Sequence, residues 1–281
     1  KQPPKTINEL IDVAHSFKEA KFAGKDVLGL GVNSIEDGFI AAYNVIMNTW
    51  KQQADGTYVY ANTQDEMKDG LLVLQEMYKD GLIKSDFAVT DIINEEIANG
   101  IVGMYYGPAW HEVVPIQANL NNDDKAVWTA VRIPSLDGGE IKQWAETVIN
   151  DYIVVNKDFK HPEAIFRMLE LELKMYYEPT KDEALKYYYC EDGYQPWNFR
   201  VFRNFIRADQ DHLKSELIIE ALENKLTKDE INSLAAESYG KVLSGLDGNR
   251  SDYGFYLGFV VGHPIVIEQK KKGMLYGSYN G

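Results

Sequence analysis

The sequence predicts an α/β protein with a helix-rich C-terminal part. Apolar runs of strand length at 27–32, 100–107, 127–133 and 148–155 alternate with helical patterns up to residue 175. That rhythm belongs to strands covered by helices. Four Thr-x-x-Glu boxes, Thr6/Glu9, Thr63/Glu66, Thr180/Glu183 and Thr227/Glu230, precede apolar-periodic runs. In each, a hydroxyl and a carboxylate can satisfy the orphan N–H groups of a helix start. From Thr180 onward the pattern is mostly helical, at 182–189, 212–223 and 228–243.

The elements follow in order. A helix over 7–19 buries Ile7, Leu10, Ala14 and Phe17, which share one face at helical spacing. A strand at 27–32 leads into polar Asn33, Ser34, Glu36 and Asp37, and a helix then buries Phe39, Ile40, Tyr43, Ile46 and Met47. Trp50 and Tyr58 flank Ala54-Asp55-Gly56, so 49–61 reads as a hairpin. Thr63 opens a long helix with Met67, Leu71, Leu74, Met77 and Tyr78 on its apolar face, closing at Asp80-Gly81. A short helix over 92–99 ends at Gly100, where a helix C-terminal glycine belongs. The strand 100–107 follows. Gly107-Pro108 stops it, and Pro108 suits the start of a helix. Strands at 127–133 and 148–155 flank a turn at Leu136-Asp137-Gly138-Gly139, and Pro162 begins a helix over 163–175. The late loops Tyr194-Gln195-Pro196-Trp197 and Tyr253-Gly254-Phe255-Tyr256 carry aromatics.

Composition narrows the function. With 281 residues the chain is large enough for two domains, and 45% hydrophobic with 26% charged residues is an ordinary globular balance. A formal net charge of -14 argues against nucleic acid or an anionic membrane as partner. The single cysteine, Cys190, excludes a disulfide framework and a Cys-based metal site. The five histidines show no metal-ligand spacing, and no cofactor motif occurs, so no cofactor is expected. Eighteen tyrosines and five tryptophans suit a surface that contacts rings or sugars, or a tyrosine-rich core.

The residues Gly100, Met104, Gly107 and Trp110, continuing into Pro115-Ile116-Gln117-Ala118-Asn119 and Trp128-x-Ala130-x-x-Ile133-Pro134, carry a resemblance. They resemble the ligand-facing segment of family 1 extracellular solute-binding proteins, the maltose-binding-protein-like group, and above all its Gram-positive lipoprotein branch. Pro3-Pro4-Lys5-Thr6, Trp50 with Asp55-Gly56, Tyr78-Lys79-Asp80-Gly81, and Val154-Val155-Asn156-Lys157 with His161-Pro162 resemble further family elements in the same order. The resemblance implies a periplasmic-binding-protein-like (class II) fold, of which this chain is mainly the second lobe. The first lobe would precede Lys1 and a helical segment would follow Gly281. It implies a second-lobe α/β domain at 1–144, a segment crossing to the first lobe at 145–205, and a helical return at 206–281. It also implies a hinged receptor that delivers an oligosaccharide to ABC transporter permease subunits without performing chemistry on it. Such a protein is extracellular, held to the membrane only through an N-terminal lipid anchor that lies outside this chain.

Seven residues are candidates for the ligand site. Trp110 stands near the family's sugar-stacking tryptophan, with half-buried packing as the alternative. Tyr106 ends the central strand, where open α/β sheets bind ligands, and offers ring and hydroxyl. The resemblance places Glu36 as a carboxylate accepting charge-assisted hydrogen bonds from sugar hydroxyls, and Phe39 as an aromatic contact. An exposed Glu and a core Phe are the plainer readings. Tyr253 and Phe255 match an aromatic pair in a late loop that lines the family's cleft, and Trp197 is a further cleft candidate. A glycoside-acting enzyme using two carboxylates is one competing function, since acidic residues are plentiful, although adjacent pairs such as Glu191-Asp192 are poorly placed for it. A ligand-sensing lobe without a transport role is another.

Overall fold

The computed structural model describes residues 2–21, 24, 26–32, 37–87, 93–144, 153–177 and 209–276. The chain divides into two compact units, Lys1–Thr147 with Asp211–Gly281, and Val148–Gln210.

The first unit begins with α1 (Ile7–Ala20), whose start is a full capping box: Thr6 accepts from the Glu9 N–H, and the Glu9 carboxylate accepts from the Thr6 N–H. Its buried face is Ile7, Leu10 and Ala14. Then come β1 (Leu28–Gly31), α2 (Asp37–Ala41), the hairpin strands β2 (Trp50–Gln52) and β3 (Tyr58–Tyr60), α3 (Asp65–Lys79), α4 (Asn94–Ala98) and β4 (Val102–Tyr105). A 3-10 turn at Ala109–Val113 and α5 (Pro115–Asn122), with proline in its first turn, complete the run, followed by β5 (Gln143–Trp144). α6 (Glu163–Tyr177) belongs to the second unit, where Phe166 and Leu171 on it are exposed. α7 (Gln210–Asn224) leads back into the first unit. α8 (Ser233–Leu246), the short α9 (Tyr253–Tyr256), a π-helical stretch Leu257–Gly262, α10 (His263–Lys271) and β6 (Leu275–Tyr276) close the chain.

The chain therefore mixes helix and strand. β1 and β4 pair in parallel through Leu28↔Val102, Leu30↔Met104 and Gly31↔Tyr105. Their connection is the helix-bearing crossover that parallel strands require. Among the described residues the sheets are three separate two-stranded pairs, β1–β4, β2–β3 and β5–β6, rather than one covered sheet. One core packs α1, β1, α2 and α3 around Leu30, Phe39, Ile40 and Met77. A second packs α7, α8 and the π-helical stretch around Ile218, Tyr239, Val242 and Phe259. Ile93, Ile97 and Val102 form a third, under Tyr105 and Trp128.

Several expectations are corrected. The helix expected to carry Phe39 through Met47 stops at Ala41, and Asn44 (φ 60°) and Asn48 (φ 61°) turn the chain through the left-handed region that asparagine tolerates. The Thr63/Glu66 box does not form: the Thr63 hydroxyl donates to the Tyr60 carbonyl, and α3 starts after Gln64. Thr227 and Glu230 do bond, but they close a turn, and the helix beyond is capped by Asn232, which accepts from the Leu234 N–H. Residues 127–133 form neither ladder nor helix, whereas a strand was expected. The Tyr253-Gly254-Phe255-Tyr256 loop is the helix α9. Gly100 terminates its helix as expected, at φ 68°. The Thr180/Glu183 box, the helix 182–189 and residues 148–152 of the expected strand lie outside the described residues. Residues 153–155 are exposed and unladdered.

Candidate functional site

The site is built outward from β4. At its carboxyl end the chain runs through Tyr105, Tyr106, Gly107 and Pro108 into the 3-10 turn that carries His111 and Glu112. These residues border a cavity of about 1380 Å³. Typical small-molecule pockets hold about 300–1,000 Å³, so this space accepts more than one sugar-sized ring. The segment 127–134, including Trp128 and Arg132, forms a further part of the lining, and α10 contributes Gln269.

The rings form a cluster. Tyr105 stacks on His111 with centroids 5.7 Å apart and meets Trp128 edge-on at 5.9 Å. The Trp128 indole N–H donates to Asn119 Oδ1 at 2.7 Å, and the Asn119 amide donates to the Ala98 carbonyl, so the indole is fixed from α5. Arg250 secures the chain beyond α5: its guanidinium donates to the carbonyls of Leu120, Asp123 and Ala126 at 3.2, 3.1 and 3.0 Å. The far end of the segment is tied through Glu140, which accepts from Arg132, Lys272 and Gln269 at 2.6, 2.9 and 3.0 Å. The Lys272 and Gln269 hydrogen bonds lead in holding the Glu140 carboxylate below its usual range.

Glu112 is the one carboxylate among the described residues lining the cavity. It is only 8% exposed. Burial pushes its carboxyl up to about 8, and the charge of Asp211 adds to the rise. A buried carboxylate is poorly solvated, so the neutral form is favoured. Gly254 and Gly258, one helical turn apart, make room for it: a Cβ on either would collide with Glu112, at its main-chain carbonyl and at its carboxyl respectively. Burial also holds His111 below the usual imidazole value and raises the Tyr105 phenol.

The predicted residues fall into five groups. Tyr106 lines the cavity. Phe39 is fully buried and edge-on behind Tyr106 at 6.4 Å, a core residue rather than a wall residue. Tyr253 and Phe255 turn away from the cavity, since α9 packs on α8: Tyr253 stacks on Tyr256, and Phe255 on Phe259 with Lys241 over its face. Trp110 has its backbone in the turn between Pro108 and His111. Glu36 and Trp197 lie outside the described residues. Tyr105, His111, Glu112, Trp128 and Arg132 also line the cavity and were not among the seven sequence candidates. The Gly254-x-x-x-Gly258 spacing signals a close approach to a helix, but nothing in the sequence names Glu112 as the residue that makes it.

Among the described residues no group of His, Asp and Glu could hold a metal ion, and no helix is long and apolar enough to cross a membrane. No protein-family model, no curated protein and no solved structure matches the chain.

Proposed function

We propose that the chain is the solute-binding component of an ABC importer and holds an oligosaccharide in the cavity at the carboxyl end of the β1–β4 pair. In this reading the fold is the second lobe of a class II periplasmic-binding-protein-like receptor, and the protein works outside the cell on a lipid anchor, handing its ligand to permease subunits. The observation that carries the reading is that the paired rings of Tyr105 and Trp128, and separately Tyr106, line a cavity large enough for several sugar rings. Sugar rings present flat C–H faces that settle on aromatic faces, and the surrounding hydroxyls need polar partners. His111, Glu112 and Arg132 line the same cavity and can supply them. The order of family-like motifs from Pro3 to Pro162 supports the transport role.

The test is a thermal-shift and calorimetric screen of the chain against neutral oligosaccharides of increasing length. A ligand that binds only the native state raises its melting temperature. The expected result is a shift that grows with chain length over the first few sugars and is lost in Tyr106→Ala and in Trp128→Ala. The reading is overturned by the absence of a shift with every glycan, or by turnover of the glycan that binds.

A further inference from the structure

Glu112 has a place in the cavity wall that the aromatic reading does not use. Its side chain is nine-tenths buried, yet it lines the cavity. The carboxyl takes a hydrogen bond from its own backbone N–H, and Gly258, without a side chain, lies against it. Among the described residues no cation pairs with it: Arg132, a guanidinium that also lines the cavity, is engaged by Glu140. A carboxyl kept in this setting is stabilised by becoming neutral, and a neutral carboxyl is a hydrogen-bond donor as well as an acceptor.

We propose that Glu112 is a ligand-contacting, specificity-determining residue of this cavity, donating its carboxyl hydrogen to an uncharged oxygen of the bound sugar, a ring or glycosidic oxygen. Such oxygens only accept, so a carboxylate cannot satisfy them and a protonated carboxyl can. The proposal rests on the reading that the cavity holds an oligosaccharide, and it adds the selection of neutral ligands and a dependence on pH.

Among the described residues the ionisable groups near Glu112, besides Arg132 on the cavity lining, are few. They are Tyr105 on β4, His111 beside it, Tyr253 and Tyr256 on α9, Asp211, His212 and Lys214 on α7, and His263 on α10. α5 and the π-helical stretch contribute none. Burial keeps His111 and His263 below the usual imidazole value and Tyr105 above the usual phenol value. Their charges therefore stay constant from neutral pH to about pH 9, while Glu112 gives up its proton near 8.

The experiment measures, by calorimetry, binding of the oligosaccharide with the largest thermal shift to the wild type, Glu112→Gln and Glu112→Leu. The wild type should bind roughly tenfold more weakly at about pH 9 than at about pH 7, because about nine-tenths of the carboxyls hold the proton one unit below a value of about 8 and about one-tenth one unit above it. Glu112→Gln keeps an N–H donor in the same shape and should bind with affinity independent of pH. Glu112→Leu, which keeps bulk without a donor, should bind weakly at both. Circular dichroism confirms that each variant is folded. Wild-type affinity that does not change with pH, or a Leu variant that binds like wild type, overturns the role of Glu112 and leaves the sugar site standing. Absence of binding by any glycan at either pH overturns both.

Discussion

Replacing Glu112 by Gln should change how the stability of the chain depends on pH. The carboxyl has an ordinary value of 4.5 and sits near 8 in the folded protein, chiefly because burial disfavours its charge. Between those values the folded state holds a proton that the unfolded state has released, so stability falls as pH rises. The contribution is fully present below 4.5, declines through the interval and levels off above 8. At roughly 1.36 kcal/mol per unit, the shift of about 3.5 units sets a ceiling of about 5 kcal/mol on the loss. Water entering from the cavity that Glu112 borders reduces the realised value. Gln has nearly the same shape and cannot ionise. The variant should thus lie within about 1 kcal/mol of the wild type at about pH 5 and exceed it by several kcal/mol at about pH 9. Urea unfolding at both values, followed by far-ultraviolet circular dichroism with m checked for equality, reads the difference. All other titrations, including His263, cancel in the subtraction. A wild-type-to-variant difference that stays constant with pH refutes the claim that burial holds this carboxyl neutral.

Other expectations follow from the same geometry. Burial lowers His263 from 6.5 to about 4, so its contribution is present above 6.5 and lost as pH falls toward 4; at roughly 1.36 kcal/mol per unit this amounts to at most about 3 kcal/mol, and His263→Gln should flatten the acid limb of the unfolding curve. Arg250→Ala removes the guanidinium donor from three carbonyls at and just beyond the end of α5 and should cost about 2–3 kcal/mol, with faster amide exchange around residues 120–126, while Arg250→Lys restores only part. Tyr239→Phe removes a buried hydroxyl that donates to the Leu226 carbonyl at 2.7 Å and should cost about 1–2 kcal/mol in urea unfolding. Thr6→Ala removes half of a formed capping box and should cost about 1 kcal/mol, whereas Thr63→Ala should cost less, because Thr63 caps no helix.

Local order was legible wherever neighbouring residues decide it. The face of α1, its Thr6–Glu9 cap, the Trp50–Tyr60 hairpin, the end of α4 at Gly100 and the short strand that follows each depend on spacing, hydrogen-bonding side chains or backbone freedom within a few residues. The carboxyl end of β4 was legible as a site for the same reason, since glycine and proline stop the strand and leave tyrosines at its tip. Segment 127–134 shows the limit: its apolar residues read as a strand, but a strand exists only when a second backbone takes its hydrogen bonds, and here the chain is fastened by side chains of Asn119, Arg250 and Glu140 instead. The same limit separates the aromatic residues. Tyr106, Phe39 and Phe255 look alike in sequence, but Tyr106 borders the cavity while Phe39 stands buried behind it and Phe255 packs toward α8. By itself the sequence determined periodicity, caps, turns and charge, all set by short-range chemistry. Only the tertiary structure decided that Glu112 is enclosed against Gly254 and Gly258, more than 140 positions away, because burial and the proton it retains depend on what packs around the residue and not on its neighbours in the chain.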